Sequence, residues 1–480
     1  MLSEEVQRAV SLSLEEGRRS FRNESIFKAG AHRWRCWREV SVNRRIFAAL
    51  VTVGSLSVAV KLVATSKEVV VAHRFGIGDE LDAFLIAYLL PSFAITVIAG
   101  SFNAALIPTY IQVRDQRGKQ EAQKLLSGVM VWTIALLVAI SALLGLAASH
   151  ILPVLGSGFS PEKIALTRSL FLILLPLLPL TGVATIGAAI LNAGERFVLA
   201  TLTPIITPIA VMIAVYKLGA ALGVYSIATA IIAGAALECA LLIRTLSRQG
   251  LSLMPQVYRV DAPTKQVMKQ YAPMIAGSCI MSSTLLVDQS MATMLGPGSV
   301  STLTYGNRIG SVVASVGAMA LSTAVLPQFS RMVGIGDWSG IRHTLKTYTR
   351  LTLLVTVPTA MVFILFSKPL VSLLFERGAF TAGDAGQVAS VQSLSILQLP
   401  VYVLGILFVR LISALKANQI LMWGTVISFA LNITLDWLFM KWLGVSGIAL
   451  STSAVYLGSL GYLSFMALRL LRRNMGSRCA

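Results

Sequence analysis

Apolar segments long enough to cross a bilayer recur from residue 46 to residue 471, and this recurrence leaves the chain very few folds. A helix rises about 1.5 Å per residue, so about 20 apolar residues span the hydrocarbon core. A transmembrane β-barrel would show alternating segments of about ten residues, and these runs do not alternate. The chain is 55% hydrophobic and 13% charged, with a mean hydropathy of +0.76; a soluble domain carries about 25% charged residues. The expected fold is an all-α polytopic membrane protein with about 12 transmembrane helices. Their approximate limits are 46–72, 80–108, 125–149, 164–190, 198–217, 223–245, 268–295, 299–327, 345–366, 387–413, 420–441 and 446–470.

The net charge of +19 is unevenly placed. With the N-terminus inside, the inner segments hold about thirty of the 40 Lys and Arg residues. The outer segments hold Arg74, Lys163, Lys217, Lys368, Arg377 and Lys441. Excess positive charge marks the cytoplasmic side, so both termini are expected inside. The rule explains the basicity without nucleic acid, and polybasic ends suit anionic lipid headgroups. Residues 1–45 read as a cytoplasmic tail without the apolar core of a signal peptide, either solvated or forming a short amphipathic helix at Val6–Leu14. Trp34 and Trp37 among Arg33, Arg35 and Arg38 suit an interfacial anchor. Cys36, Cys239, Cys279 and Cys479 have no metal or redox spacing and read as free thiols or small core residues.

The chain also repeats itself. The turn Gly76–Gly78 precedes a span expected to end at Pro108, and the turn Gly296–Gly298 precedes one expected to end at Pro327. The offset is about 220 residues and contains six spans, as in parallel transporter repeats. Two pseudo-symmetric six-helix lobes around a central cavity are expected: 46–248 and 268–473, joined by a cytoplasmic linker 249–267 and followed by a tail 474–480.

Catalytic chemistry finds little support. No G-x-x-x-x-G-K-[ST] phosphate loop and no H-E-x-x-H occurs, and His32, His73, His150 and His343 are scattered. The outer loops, the longest about 149–163 and 367–386, are too short for a membrane glycosyltransferase site. Neither an enzyme nor a cofactor is expected. What remains is charge inside spans, which costs about 3 kcal/mol or more per residue facing lipid. Lys61 and Glu68 share one helix face, and Lys67 lies about 120° from Lys61. Asp82 enters the second span near its outer end; Asp288 and Arg308 lie in the seventh and eighth. Either these charges line a wet cavity, or they neutralise one another: Lys61 or Lys67 with Glu68 or Asp82, and Arg308 with Asp288. Glu238 and Asp436 read as structural acids, and Arg168 as a snorkelling residue. Pro91, Pro176, Pro179, Pro204, Pro208, Pro358 and Pro400 bend spans, which suits two bundles that rock.

Four stretches carry a family resemblance. FGIGDELDAFLIAYLLP, LNAGERFVLATLTPI, GSVSTLTYGNRIGSV and LFERGAFTAGDA resemble segments of the MurJ/MviN family, the lipid II flippases of the multidrug/oligosaccharidyl-lipid/polysaccharide exporter superfamily. The resemblance covers about residues 46–471. It implies a flippase that moves a polyprenyl-diphosphate-linked saccharide from inner to outer leaflet by alternating access. It places Lys61, Lys67 and Arg308 at substrate-binding positions and Glu68 and Asp82 at acid positions of the cavity; Asp288, an acid inside a span, joins these two as a candidate coupling acid for H⁺ or Na⁺. Membrane lipids and glycosyltransferases or polymerases are the implied partners. The chain departs from the pattern: Lys61 and Lys67 replace arginines and lose bidentate phosphate recognition, Ile95 and Gly100 replace an arginine and a glutamate, and the flippases add two further spans. An exopolysaccharide or O-antigen precursor therefore stands beside lipid II as a substrate. A cation-coupled drug antiporter and a non-transporting envelope-assembly scaffold are the rival functions.

Overall fold

The computed structural model describes residues 52–194, 196–248 and 262–476. The expected tail 1–45, most of the linker 249–267, Cys36 and Cys479 lie outside the described residues. The chain divides into two compact units, 1–59 and 60–480. In the first, the described residues 52–59 are helical; everything below concerns the second.

Among the described residues there is no strand. The first half runs through α1 (60–75), α2 (Asp79–Arg117), α3 (Lys119–Leu155), α4 (Pro161–Leu174), α5 (Leu177–Ala193), α6 (Phe197–Leu202), α7 (Ile206–Leu222) and α8 (Tyr225–Ser247). The second half runs through α9 (Ala262–Thr293), α10 (Ser299–Ile335), α11 (Trp338–Leu365), α12 (Ser367–Phe375), α13 (Ala382–Ile396), α14 (Gln398–Ala414), α15 (Asn418–Leu443) and α16 (Val445–Gly476). Among the described residues, ten helical stretches are long and apolar enough to cross a membrane. Helices α1 and α9 occupy the two remaining positions where the sequence places spans.

Proline acts in two ways. Pro176, Pro204 and Pro400 sit beside breaks that split expected single spans into α4–α5, α6–α7 and α13–α14. Each lacks the N–H that would carry the helix across the break. Pro108 and Pro327 do not end their helices as the sequence suggested. α2 continues to Arg117 and α10 to Ile335, with the proline inside. A freed carbonyl within a bundle is tolerated when neighbouring groups satisfy it, and both helices extend past the apolar stretch.

The repeat is present in the backbone as well as the sequence. Positive-φ glycines recur in pairs about 220 residues apart: Gly76 with Gly296, Gly118 with Gly336, and Gly223 with Gly444. Each pair terminates or starts equivalent helices, where a side chain would strain the left-handed backbone. The pairs also define two ends of the bundle. Turns 76–78, 156–160, 294–298 and 376–381 lie at one, the turn end. Arg114, Arg117, Arg342 and Arg472 lie at the other, the basic end.

Packing differs between those ends. At the turn end, one core joins both halves: Val71, Phe84, Phe171 and Ile227 pack with Tyr305, Phe375, Phe380 and Val388. A neighbouring core joins Ile86 and Leu89 to Val300, Leu303, Val391 and Ile448. Toward the basic end the core is double. One cluster contains only first-half residues, among them Leu106, Leu126, Ile190 and Leu242. The other contains only second-half residues, among them Phe329, Leu345, Leu411 and Leu471. Among the described side chains, the two halves thus share cores at the turn end and have separate cores toward the basic end.

Candidate functional site

The α1–α2 turn sets the geometry of the joined end. α10 begins at Gly298, which has a left-handed backbone and no side chain to cap the helix. Asp82 of α2 supplies the cap from the other half: its carboxylate accepts from Gly298 N–H at 2.7 Å and Ser301 N–H at 2.8 Å. Free amides at a helix start favour a carboxylate, and such charge-assisted bonds are strong. Lys163, from the first turn of α4, donates to Asp82 at 3.2 Å and to Asp79 at 2.6 Å, and lies over the Phe159 ring. Asp82 is 0% exposed and Lys163 8%. The sequence read Lys163 as one more outer surface charge; folding buries it as the counter-ion of the cap.

Backbone contact completes this closure. A Cβ on Gly158 would overlap the Thr293 carbonyl, one on Gly378 the His73 carbonyl, and one on Gly76 the Ala379 carbonyl. Ala379 N–H also donates to the His73 carbonyl at 2.9 Å. The stretch LFERGAFTAGDA therefore forms the piece of the second half that seats on the α1–α2 turn. Its Thr381 and Asp384 make a capping box that starts α13.

Just inside this seal lies a charge cluster. Glu68 pairs with its neighbour Lys67 at 2.8 Å and with Arg308 of α10 at 3.1 Å. Lys61, two turns farther toward the basic end, donates to Ser315 of α10. Side-chain exposure is 23% for Lys67, 16% for Glu68 and 35% for Arg308, so the cluster is reachable rather than sealed. Two cations meet one acid, and Lys61 adds further positive charge nearby. A desolvated cationic site of this kind attracts phosphate or carboxylate.

Of the six residues singled out from the sequence, Lys67, Glu68 and Arg308 come together and Lys61 stands close by on the same two helices. The other two acids lie elsewhere. Asp82 serves the seal, with Lys163 rather than Lys61 or Lys67 as its partner. Asp288 does not meet Arg308; it lies inside the second half, where it accepts from Asn432 at 2.9 Å. Asp436, one turn after Asn432, accepts from Ser451. Asp288, Asn432, Asp436 and Ser451 are all buried. Sequence reasoning treated Asp436 as an isolated structural acid; the N-x-x-x-D spacing on α15, facing a buried Asp on α9, was the signal available. Glu238 remains apart from both clusters, on α8 beside Thr203. Cys239 is buried and Cys279 half-buried, both free thiols.

A two-lobed helical bundle, with one core shared by both halves at one end and separate cores at the other, and a cationic cluster between α1 and α10, has the architecture of a membrane transporter. A family profile described as "Lipid II flippase MurJ" matches residues 71–477. The chain belongs to that family, which is one of flippases and not of enzymes. It is 26% identical over 424 residues to the probable lipid II flippase MurJ of Synechocystis sp., covering 86% of this chain and 79% of that protein. It is 25% identical over 426 residues to the lipid II flippase MurJ of Burkholderia cenocepacia, covering 85% and 80%. A solved structure titled "Lipid II flippase MurJ, inward closed conformation" superposes with a TM-score of 0.76 at 24% identity, covering 88% of this chain and 91% of that one. An inward-facing multidrug resistance MATE family transporter shares the fold with a TM-score of 0.72 at 13% identity, covering 89% and 99%.

Proposed function

We propose that this protein is a flippase that carries a polyprenyl-diphosphate-linked saccharide across a bacterial inner membrane by alternating access, with lipid II as the first substrate to test. The observation that carries the reading is the cationic cluster of Lys67, Glu68 and Arg308 at the point where a shared core gives way to two separate ones. In this reading the basic end faces the cytoplasm, both termini lie inside, and the lobes 46–248 and 268–473, joined by the linker 249–267, rock against each other. The turn end is the outer gate.

The chemistry follows from the charges. A diphosphate entering from the inner leaflet competes with Glu68 for Lys67 and Arg308. Arg308 offers a planar fork for two phosphate oxygens; Lys67 and Lys61 offer point charges. The polyprenyl tail stays in lipid while the sugar occupies the cleft. Opening the outer gate requires Asp82 to leave the start of α10. The acid pair Asp288 and Asp436 is the candidate for coupling, since two buried carboxylates with an amide and a hydroxyl suit H⁺ or Na⁺. A surplus of positive charge at the cluster disfavours cationic drugs as cargo, and a static scaffold has no need of lobes with separate cores.

Purified protein in liposomes with fluorescent lipid II tests the proposal. Wild type is expected to accelerate transbilayer movement, and Lys67→Gln and Arg308→Gln to lower the rate by about a hundredfold, as loss of a charge-assisted anion contact would. Both variants are expected to keep wild-type yield and melting temperature. No movement by wild type of lipid II or of an O-antigen precursor would overturn the reading.

A further inference from the structure

Tyr305 stands one turn before Arg308 on α10 and is 2% exposed. Its ring is held by Phe375 at 5.2 Å and Phe380 at 5.9 Å between centroids. It shares a core with Val71 and Ala72, the turn of α1 that follows Glu68. Its hydroxyl is buried without a hydrogen-bond partner, on the helix turn that also carries Arg308, the partner of Glu68. Arg308 Nε is likewise buried and unpaired, while its Nη2 meets Glu68. A buried hydroxyl with no partner destabilises the state that contains it, so its contribution belongs to another state.

We infer that Tyr305 is a positioning residue of the central site: its hydroxyl becomes the donor to Glu68 when Lys67 and Arg308 turn to an incoming diphosphate. This rests on the function proposed above. Once both cations engage phosphate, Glu68 is a carboxylate in a largely buried place with no partner, which is costly. A neutral O–H donor relieves that cost without bringing in a second charge to desolvate, and an O–H···O⁻ bond is strong. The phenylalanine clamp fixes the ring, so the hydroxyl waits in place and little freedom is lost when the bond forms. No proton moves and no covalent bond changes; Glu68 exchanges two cationic donors for one neutral donor. Tyr88 of α2 packs against the same core, but it is half-buried, so water can replace its hydroxyl.

The test compares Tyr305→Phe, Tyr88→Phe and Tyr305→Leu in liposomes, with undecaprenyl diphosphate as binding probe and fluorescent lipid II for transport. Tyr305→Phe keeps the ring and its clamp. It is expected to slow transport at saturating lipid II by about tenfold, the scale of one hydrogen bond to a charge, with an unchanged or higher melting temperature. Tyr88→Phe is expected to stay within about twofold of wild type, as for a hydroxyl that water can replace. Tyr305→Leu is expected to lose both transport and stability through the broken clamp. Wild-type transport by Tyr305→Phe would overturn the inference, and so would a slow variant that also melts early, since the hydroxyl would then be structural. Arg308→Gln separates this from the parent reading. If Arg308→Gln binds undecaprenyl diphosphate as wild type does, the cation site itself is wrong and Tyr305 falls with it. If Arg308→Gln fails and Tyr305→Phe is normal, only the role of Tyr305 is lost.

Discussion

The two ends of this bundle hold their helices together by different means. At the turn end, side chains of both halves share one core, backbones touch through glycines, and Asp82 of one half caps a helix of the other. At the basic end each half has a complete core of its own. A shared core with backbone contact is either made or broken, because packed interfaces are bistable rather than elastic. Independent cores lose nothing when they separate. On the function proposed above, the contrast makes the turn end the gate whose closure is costly to undo, and the basic ends of the lobes the ends that part.

Breaking the seal should have the largest effect. Asp82→Asn removes the charge that joins Gly298, Ser301 and Lys163, and leaves Lys163 buried with Asp79 alone. Breaking one partner of a buried pair costs about 3–5 kcal/mol, against which the closed gate would not hold. The expected result is transport lowered by about a hundredfold or more. Spin labels at exposed Glu80 and Glu376, in a background without other thiols, should report a longer distance between the lobes. An unchanged distance would show that the glycine contacts close the gate without Asp82.

The same substitution made at both ends sharpens the comparison. Gly158→Ala places a methyl against the Thr293 carbonyl, and Gly378→Ala one against the His73 carbonyl. Overpacking of this kind costs about 1–3 kcal/mol, and both variants should move the spin-label distance toward the open gate. At the basic end Gly118 also has a positive φ, 86°, but a Cβ there meets nothing. Gly118→Ala should cost about 1 kcal/mol of backbone strain and leave the gate distance alone. Equal shifts from all three would mean that strain, not contact across the lobes, sets the gate.

A smaller effect should separate the second half from the first. If Asp288 and Asp436 hold the coupling ion, Na⁺ at about a hundred times its dissociation constant should stabilise wild type by about 2.7 kcal/mol. A thermal-shift titration reads this as a few degrees. Asp288→Asn and Asp436→Asn should abolish the Na⁺ response, whereas Glu238→Gln in the first half should keep it. A response that Na⁺ fails to give but falling pH does would assign the pair to H⁺.

Much of this was legible in the residues. Twelve apolar segments, the glycine turns about 220 residues apart and the positions of Lys67, Glu68 and Arg308 could be read because lipid imposes a simple rule: length and apolarity decide what spans. Which acid meets which cation could not be read. Arg308 chose Glu68 over Asp288, and Asp82 chose Lys163, because pairing depends on helix rotation and lobe contact across more than 80 residues of sequence. The prolines show the same limit. Pro176 and Pro108 have the same local chemistry, yet only Pro176 lies at a break; neighbouring helices decide the outcome.

The basic end also carries the smallest effect, one confined to a single helix start. Asp337 precedes α11 and accepts from Gly340 N–H at 2.8 Å and from the Ser339 hydroxyl at 2.9 Å. These donors favour the charged form, and they hold its carboxyl below the usual carboxylate range. A group whose folded pKa is depressed stabilises the fold above its unfolded pKa, and that contribution is lost as pH falls through the folded value. The cap should therefore be intact at neutral pH and fail only in acid below about pH 4, the ordinary aspartate range. Hydrogen exchange at the Gly340 amide should quicken there relative to the base-rate trend, and Asp337→Asn, which cannot titrate, should remove the pH step. The gate distance should not respond in either protein, because this helix start belongs to a core that one lobe completes alone. A gate that opened with the loss of this cap would show that the two ends are mechanically linked through α10 and α11.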